Sequence, residues 1–381
     1  MADGKALAEA KRNKKDEFYT QYDDIQNELN HYTKHFEGKT VLCNCDDPYE
    51  SNFCKFFLRN FKYLKLKRLI CTSYTDSCVI GTQMSLFDNN NEPLTPAYGY
   101  VMDVNDVPMA NGRGVTDEDI DKYLHSDACN IQKLQGSGDF ASPECVEYLM
   151  QADIVVTNPP FSKFRDYVAL LMEYDKKFLI LGNKNAITYK EIFPLIKDGK
   201  IWLGASIHSG SLEFRIPKTY NEAKNPKNYR YDEFGNKYTR TSGPRWFTNL
   251  DYPQRHEDLI LYEHYSPEKY PKYDNYDAIE VSKTREIPDD FADPMGVPIT
   301  FLDKYNPEQF EILGITDRQN TSGLRTKKYT EEDSSKYNDL NARSVILKNG
   351  QYHAVYARIL IRNKHPKPPA YTLQDPFPKD T

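Results

Sequence analysis

Ala152-Asp153-Ile154-Val155-Val156-Thr157-Asn158-Pro159-Pro160-Phe161 is the stretch around which the 381-residue chain is arranged. From Asp153 to Thr157 the residues are short or β-branched, as in a strand buried within a parallel sheet. Two prolines then stop it, because neither can donate to a ladder. Behind them Phe164, Val168, Leu171 and Met172 recur at helical spacing, which predicts a helix within 162–176. A strand entering a helix through Asn-Pro-Pro-Phe sets a polar amide, a fixed carbonyl and an aromatic ring at the carboxyl edge of an α/β sheet. Ligands bind at that edge.

Those groups suit methyl transfer to an exocyclic amine. The Asn158 side-chain oxygen accepts one N–H and the Pro159 carbonyl accepts the other. With both protons engaged, the nitrogen lone pair leaves ring conjugation and points at an electrophilic methyl. Phe161 is placed to stack on a base. A Pro-Pro turn that only caps a buried strand is the competing reading of the same residues. Asn-Pro-Pro followed by Phe or Tyr resembles the catalytic motif of S-adenosylmethionine-dependent amino-methyltransferases, mostly adenine-specific DNA enzymes. The resemblance makes Asn158, Pro159, Pro160 and Phe161 the catalytic set.

Upstream, Asp16-Glu17-Phe18-Tyr19-Thr20 precedes Asp24, Ile25, Glu28, Leu29 and Tyr32 at helical spacing. The motif is similar to the one that holds the methionine end of the cofactor in those enzymes, with Tyr19 and Thr20 as the candidates. A hydroxyl and free amide N–H groups at a helix start suit a carboxylate. Residues 39–47 read as the first sheet strand, which runs into Asp46-Asp47-Pro48 at the position of a cofactor loop. Glu50-Ser51-Asn52 stands where the family pattern has glycines. The second strand, 67–74, ends on Ser73-Tyr74 where many relatives carry an acid for the ribose, so no ribose partner is assigned. Asp139, at the end of an ordered run over 131–140, fits the carboxylate that takes the adenine amine of the cofactor, with Phe140 flanking its ring. A turn carboxylate is the alternative for Asp139. Ser142-Pro143-Glu144 starts a helix with a capping hydroxyl, a proline at the first position and an acid in the first turn.

Further strands at 177–182 and 201–204, with a helix at 189–196 between them, continue the alternation of a mostly parallel, doubly covered sheet. Residues 244–250 read as a returning strand, and a final strand covers 356–362. The segments 217–243 and 269–294 are polar, Tyr-rich and loop-like. Cys43 and Cys45, two of seven cysteines, are expected to face one side of the first strand as core thiols in a reducing compartment. No run reaches the length of a membrane span, and residues 1–16 lack the apolar core of a signal peptide. A cytoplasmic protein is the expectation.

Over residues 14–315 the chain resembles the EcoRI-type adenine-specific DNA methyltransferase family. Besides the motifs above, the resemblance rests on Cys43-Asn44-Cys45-Asp46-Asp47-Pro48, Ser51-Asn52-Phe53, Lys177-Phe178-Leu179-Ile180, Lys200-Ile201-Trp202-Leu203-Gly204, and the run from Tyr270 to Ile279. It implies an α/β fold, a Rossmann-like methyltransferase sheet covered by helices on both faces, with a smaller irregular target-recognition region. Residues 1–215 would form the S-adenosylmethionine-binding catalytic domain, joined by a returning strand near 244–262. Residues 216–381 would mainly recognise the target. The implied reaction is methylation of the N6 amine of a flipped-out adenine in duplex DNA, alongside a restriction endonuclease. No metal is required, because the sulfonium carries its own electrophile. Competing readings are a methyltransferase for RNA or a glutamine amide, and an inactive DNA-binding relative.

The overall charge is −6, yet 318–367 holds 11 Lys and Arg against 4 Asp and Glu, a local +7. Local potential governs attraction to a polyanion. Arg325, Lys327 and Lys328 in this segment, with Lys11, Arg12, Lys14 and Lys15 near the start, are therefore expected to contact phosphates; a solvated charged loop is the alternative for the first group and a frayed solvated arm for the second. Phe214 is a candidate for the second face of a flipped base, with a core position as the alternative.

Overall fold

A computed structural model describes residues 19–74, 99–108, 115–206, 211–216, 229–318 and 323–368. The described residues divide into two compact units. One draws on Met1–Ile187 and Lys200–Pro253, the other on Thr188–Gly199 and Gln254–Thr381. Among them no helix is long and apolar enough to cross a membrane.

In the first unit the strands are β1 (Tyr19–Thr20), β2 (Thr40–Asn44), β3 (Arg68–Thr72), β4 (Tyr100–Val104), β5 (Ile131–Lys133) and β6 (Ile154–Thr157). They continue as β7 (Lys177–Asn183), β8 (Trp202–Leu203), β9 (Ser211–Ile216), β10 (Tyr229–Tyr231), β11 (Lys237–Ser242) and β12 (Pro244–Thr248). Its helices are α1 (Tyr22–Leu29), α2 (Asn52–Asn60), α3 (Asp117–Leu124), α4 (Pro143–Gln151) and α5 (Phe164–Glu173). An eight-stranded sheet runs β5-β4-β3-β2-β6-β7-β12-β8. Neighbours within β3-β2-β6-β7 are parallel, whereas β4, β5 and β12 pair antiparallel. The sheet is therefore mixed rather than mostly parallel. Residue pattern signals a strand's burial but not its direction, and the returning strand 244–248 enters reversed.

Every residue of β2 and β6 is buried, as their apolar runs require. The helices start where the sequence supplies caps. The Ser142 hydroxyl accepts from the Cys145 N–H at 3.3 Å, and Thr116 with Asp119 forms a capping box on α3. The helix expected over 189–196 is shorter: α6 spans Phe193–Lys197, in the second unit. Pro194 lacks an N–H and is tolerated only in a first turn, so the α-helix starts there and 189–192 stays a turn. Cys43 is buried in β2, but Cys45 lies beyond the strand end with φ 69°, so the two do not share a strand face.

The second unit holds β13 (Ile279–Glu280), β14 (Met295–Pro298), β15 (Phe310–Ile315), β16 (Val345–Lys348), β17 (Gln351–Ala354) and β18 (Arg358–Asn363), with a short α7 (Tyr337–Leu340). One sheet orders them β13-β14-β18-β15, and β16-β17 is a separate hairpin. Met295, Val297, Phe310 and Ile359 through Ile361 of the four-stranded sheet are buried, as is Phe301 after β14.

Candidate active site

The site is built where β2 and β6, hydrogen-bonded neighbours, both end. Beyond β2 the chain turns through Cys45 in the left-handed region, and the Asp46 N–H donates to the Thr72 carbonyl at 3.0 Å. The Asp46 carboxylate then accepts from the Ser51 hydroxyl at 2.7 Å and from the hydroxyl of Thr157, the last residue of β6. Thr157 also reaches the Asn44 carbonyl. Asp46, Ser51 and Thr157 are all buried. The residue before Asn158 is thus bonded directly to the 46–52 loop.

Ser51 and Asn52 hold this loop in shape without glycines. The Ser51 hydroxyl caps α2 by accepting from the Phe53 N–H at 3.1 Å while donating to Asp46. The Asn52 amide donates to the Thr20 carbonyl at 2.7 Å, fastening the Tyr19–Thr20 strand to the loop. Arg215 pairs with Glu50 and lies 5.3 Å from the centre of the Tyr19 ring. Asp47 accepts the N–H groups of Tyr49 and Glu50 at 2.9 and 3.3 Å. Burial nevertheless pushes its carboxyl up to about 6. Glycines crowd a different place. A Cβ on Gly99 or Gly138 would stand 2.3 or 2.0 Å from the Ser73 carbonyl at the end of the second strand, and Gly138 has φ +76°.

Past β6, Asn158 and Pro160 are half-buried, while Pro159 and Phe161 are buried. Two residues further on, Lys163 Nζ pairs with Asp139 Oδ2 at 2.7 Å and lies 5.4 Å from the Phe140 ring centre. Burial raises the Asp139 carboxyl, but the Lys163 ammonium and the Ala141 N–H outweigh it and hold it below the usual range. The Tyr167 hydroxyl donates to Asn44 Oδ1, and its ring meets Phe140 edge-on at 4.9 Å. Nothing in the sequence singles out Lys163 or Tyr167, because each reads as an ordinary residue of the helix face behind the motif.

Three buried polar atoms at these strand ends lack a partner among the described residues: Thr20 Oγ1, Asn44 Nδ2 and Thr72 Oγ1. A buried donor or acceptor without a protein partner is costly, so a water or a polar ligand has to complete its bonding. Asn44 and Thr72 are opposite each other in the β2–β3 register.

The remaining candidates fall elsewhere. Lys11, Arg12, Lys14 and Lys15 lie outside the described residues. Phe214, paired with Thr20 between β9 and β1, is completely buried in the core cluster with Phe53 and Trp246. A ring with no exposed face occupies a core position and offers nothing for a base to stack on. In the second unit Arg325 donates to the Asn341 carbonyl and lies 5.4 Å from the Tyr276 ring centre. Lys327 pairs with Asp274 at 3.1 Å and reaches the Tyr352 hydroxyl at 3.3 Å. Both are occupied within the fold, whereas Lys328 is exposed. His264, Asp289 and Asp290 bring their ligand atoms within 4.8 Å of one another, but Lys367 already holds Asp289 at 2.8 Å, where a cation would sit.

The family model described as adenine-specific methyltransferase EcoRI matches residues 6–364. The chain belongs to the EcoRI adenine-specific methyltransferase family. Within it, the chain is 46% identical over 314 residues to the type II methyltransferase M.EcoRI of Escherichia coli, covering 82% of this chain and 89% of that one. It is 38% identical over 308 residues to the type II methyltransferase M.MgeORF184P of Mycoplasma genitalium, covering 80% and 84%. It is also 38% identical over 309 residues to M.MpnI of Mycoplasma pneumoniae, covering 80% and 83%. No solved structure matches the chain.

In this adenine-specific methyltransferase, the Thr157–Asp46 bond ties the Asn-Pro-Pro-Phe turn to the loop beside it. Thr157→Val keeps the shape of the side chain and removes the hydroxyl, so turnover should fall about 3- to 10-fold, equivalent to the roughly 1 kcal/mol net worth of a typical hydrogen bond. Thr157→Ser should recover most of that loss. Equal single-turnover rates for the valine and serine variants would leave the bond without a positioning role.

Proposed function

We propose that this methyltransferase moves a methyl group from S-adenosylmethionine to the N6 amine of an adenine flipped out of duplex DNA. The observation that carries the reading is Asn-Pro-Pro-Phe standing at the end of β6, hydrogen-bonded through Thr157 to the acidic loop after β2. The parallel run β3-β2-β6-β7, with β2 and β6 buried throughout, supports a Rossmann-like sheet with helices on both faces. Residues 1–215, with the strand near 244–262, would bind cofactor and catalyse, and 216–381 would mainly read the target.

S-adenosylmethionine supplies an electrophilic methyl on a sulfonium. Tyr19, Thr20, Asp46, Asp47 and Pro48 would hold its methionine side, and Asp139 and Phe140 its adenine. The orphaned Thr20 hydroxyl and the buried carboxylates fit a ligand bearing an amine and a carboxylate. Asn158 Oδ1 and the Pro159 carbonyl accept the two N–H bonds of the target amine and turn its lone pair toward the methyl carbon. The chemistry there would be transfer of that methyl to the amine nitrogen, with the sulfur leaving as a neutral thioether and one amine proton passing to solvent. Phe161 would flank the adenine ring, and Lys11, Arg12, Lys14, Lys15 and Lys328 would meet phosphates. A role in the cytoplasm beside a restriction endonuclease fits the type II names of the relatives.

Incubation with methyl-labelled S-adenosylmethionine and duplex DNA should give N6-methyladenine on digestion. Label recovered only in RNA or protein would overturn the reading. Asp139→Ala should weaken cofactor binding by roughly 1–3 kcal/mol, since the cofactor amine and Lys163 both lose their acceptor. Unchanged affinity by calorimetry would move the adenine contact away from Asp139.

A further inference from the structure

We propose that the β16–β17 hairpin is a ribbon that reads base edges in a DNA groove. The inference rests on the reading that the target adenine lies in duplex DNA.

The hairpin is rigid at its root and open at its tip. The Val345 N–H donates to Asn275 Oδ1 at 2.8 Å, the Asp274 N–H donates to the Val345 carbonyl at 2.8 Å, and Tyr273 bridges Ile346. Val345 and Asn275 are completely buried. In the register Ile346 pairs with His353, Leu347 with Tyr352 and Lys348 with Gln351. One face, with Val345, Tyr352 and Ala354, packs on Tyr329 and Leu340. Cross-strand partners share a face, so Lys348, Gln351 and His353 line the other face beyond Ile346. All three are exposed.

The turn between the strands is fixed. Asn349 and Gly350 have φ 49° and 72°, and positive φ at both central residues is the condition for a tight type I′ turn. The backbone at the tip is therefore held in one arrangement, which fixes where its side chains start.

Its chemistry points to nucleic acid. From Leu340 to Tyr356 there is no carboxylate side chain, although the whole chain is acidic. Lys348 donates, Asn349 and Gln351 both donate and accept, and His353 adds a ring N–H. These side-chain types read guanine and adenine edges, and a major groove about 12 Å wide admits a two-stranded ribbon. A hairpin serving only as a solvated connection between β15 and β18 requires neither a rigid tip nor the exclusion of acids.

The test uses the full chain, a pool of randomised duplexes and S-adenosylmethionine, with methylated adenines mapped by sequencing. Lys348→Ala and Gln351→Ala should each relax preference at one or two base positions by about 10- to 100-fold. Cofactor affinity and melting temperature should stay unchanged. Replacing both residues by threonine while keeping Asn349-Gly350 should relax both positions together. An unchanged sequence preference overturns the proposal. So does an equal loss on all sequences with a shallower salt dependence, which makes Lys348 a phosphate contact only. Absence of duplex methylation by the unaltered chain overturns both this proposal and the function on which it rests.

Discussion

Asn158→Ala should lower single-turnover methylation by at least about a hundredfold while leaving cofactor affinity close to that of the unaltered chain. The size follows from the role proposed for the side chain. An acceptor aimed at a group that changes charge in the transition state is worth roughly a hundredfold or more in rate, because it is fixed before the reaction. Asn158 is fixed in this way: the buried β6 precedes it, Thr157 is bonded to Asp46, and two prolines restrict the chain after it. Alanine leaves those restraints in place, so the loss falls on the chemical step rather than on binding. Asn158→Asp keeps one acceptor and should recover part of the rate. If Asn158→Ala turns over at a near-normal rate, the Pro-Pro turn is structural.

The strand that ends at Thr157 was legible because its signal is local. Short β-branched residues stopped by two prolines have few alternatives, and the observed strand ends at Thr157 as expected. The cap at Ser142 was equally local. What escaped the sequence depends on residues far apart. Thr157 and Asp46 are 111 positions apart, and nothing in either neighbourhood reveals the bond. Lys163 reads as a surface lysine until the turn carries it to Asp139.

Charge counting has the same weakness. The +7 of 318–367 measures composition, whereas binding needs side chains free to leave the fold. Arg325 and Lys327 are held by Asn341, Asp274 and Tyr352, so neutralising them would disturb the second unit before it touched DNA. Arg362 pairs with Glu311 and Lys367 with Asp289. Lys328 and Lys348 are exposed and give cleaner tests of phosphate and base contact.

The strongest of these internal uses is Arg358 with Glu280, and it sets the second large effect. Their side chains are 12% and 4% exposed, so water screens the pair little. The guanidinium Nη2 donates to Glu280 Oε1 at 2.7 Å and Nε lies 3.2 Å from both oxygens. The Tyr273 hydroxyl donates to the other side of the carboxylate. Burial and the adjacent Glu280 charge hold that hydroxyl well above its ordinary range, so it stays a donor. In the sheet β13-β14-β18 the pair reaches across β14. Arg358→Met would leave the Glu280 carboxylate buried without its cation, which costs about 3–5 kcal/mol. By contrast, an exposed pair such as Lys65 with Glu37 contributes little, because water and salt screen it. Denaturant unfolding followed through the second unit should show that loss in Arg358→Met, and a large part of it recovered when Glu280→Leu and Tyr273→Phe are added. Recovery is expected because a buried ion pair replaced by apolar side chains is often neutral or stabilising. A single variant within about 1 kcal/mol of the unaltered chain would mean that water reaches Glu280 and that the pair behaves as an exposed one.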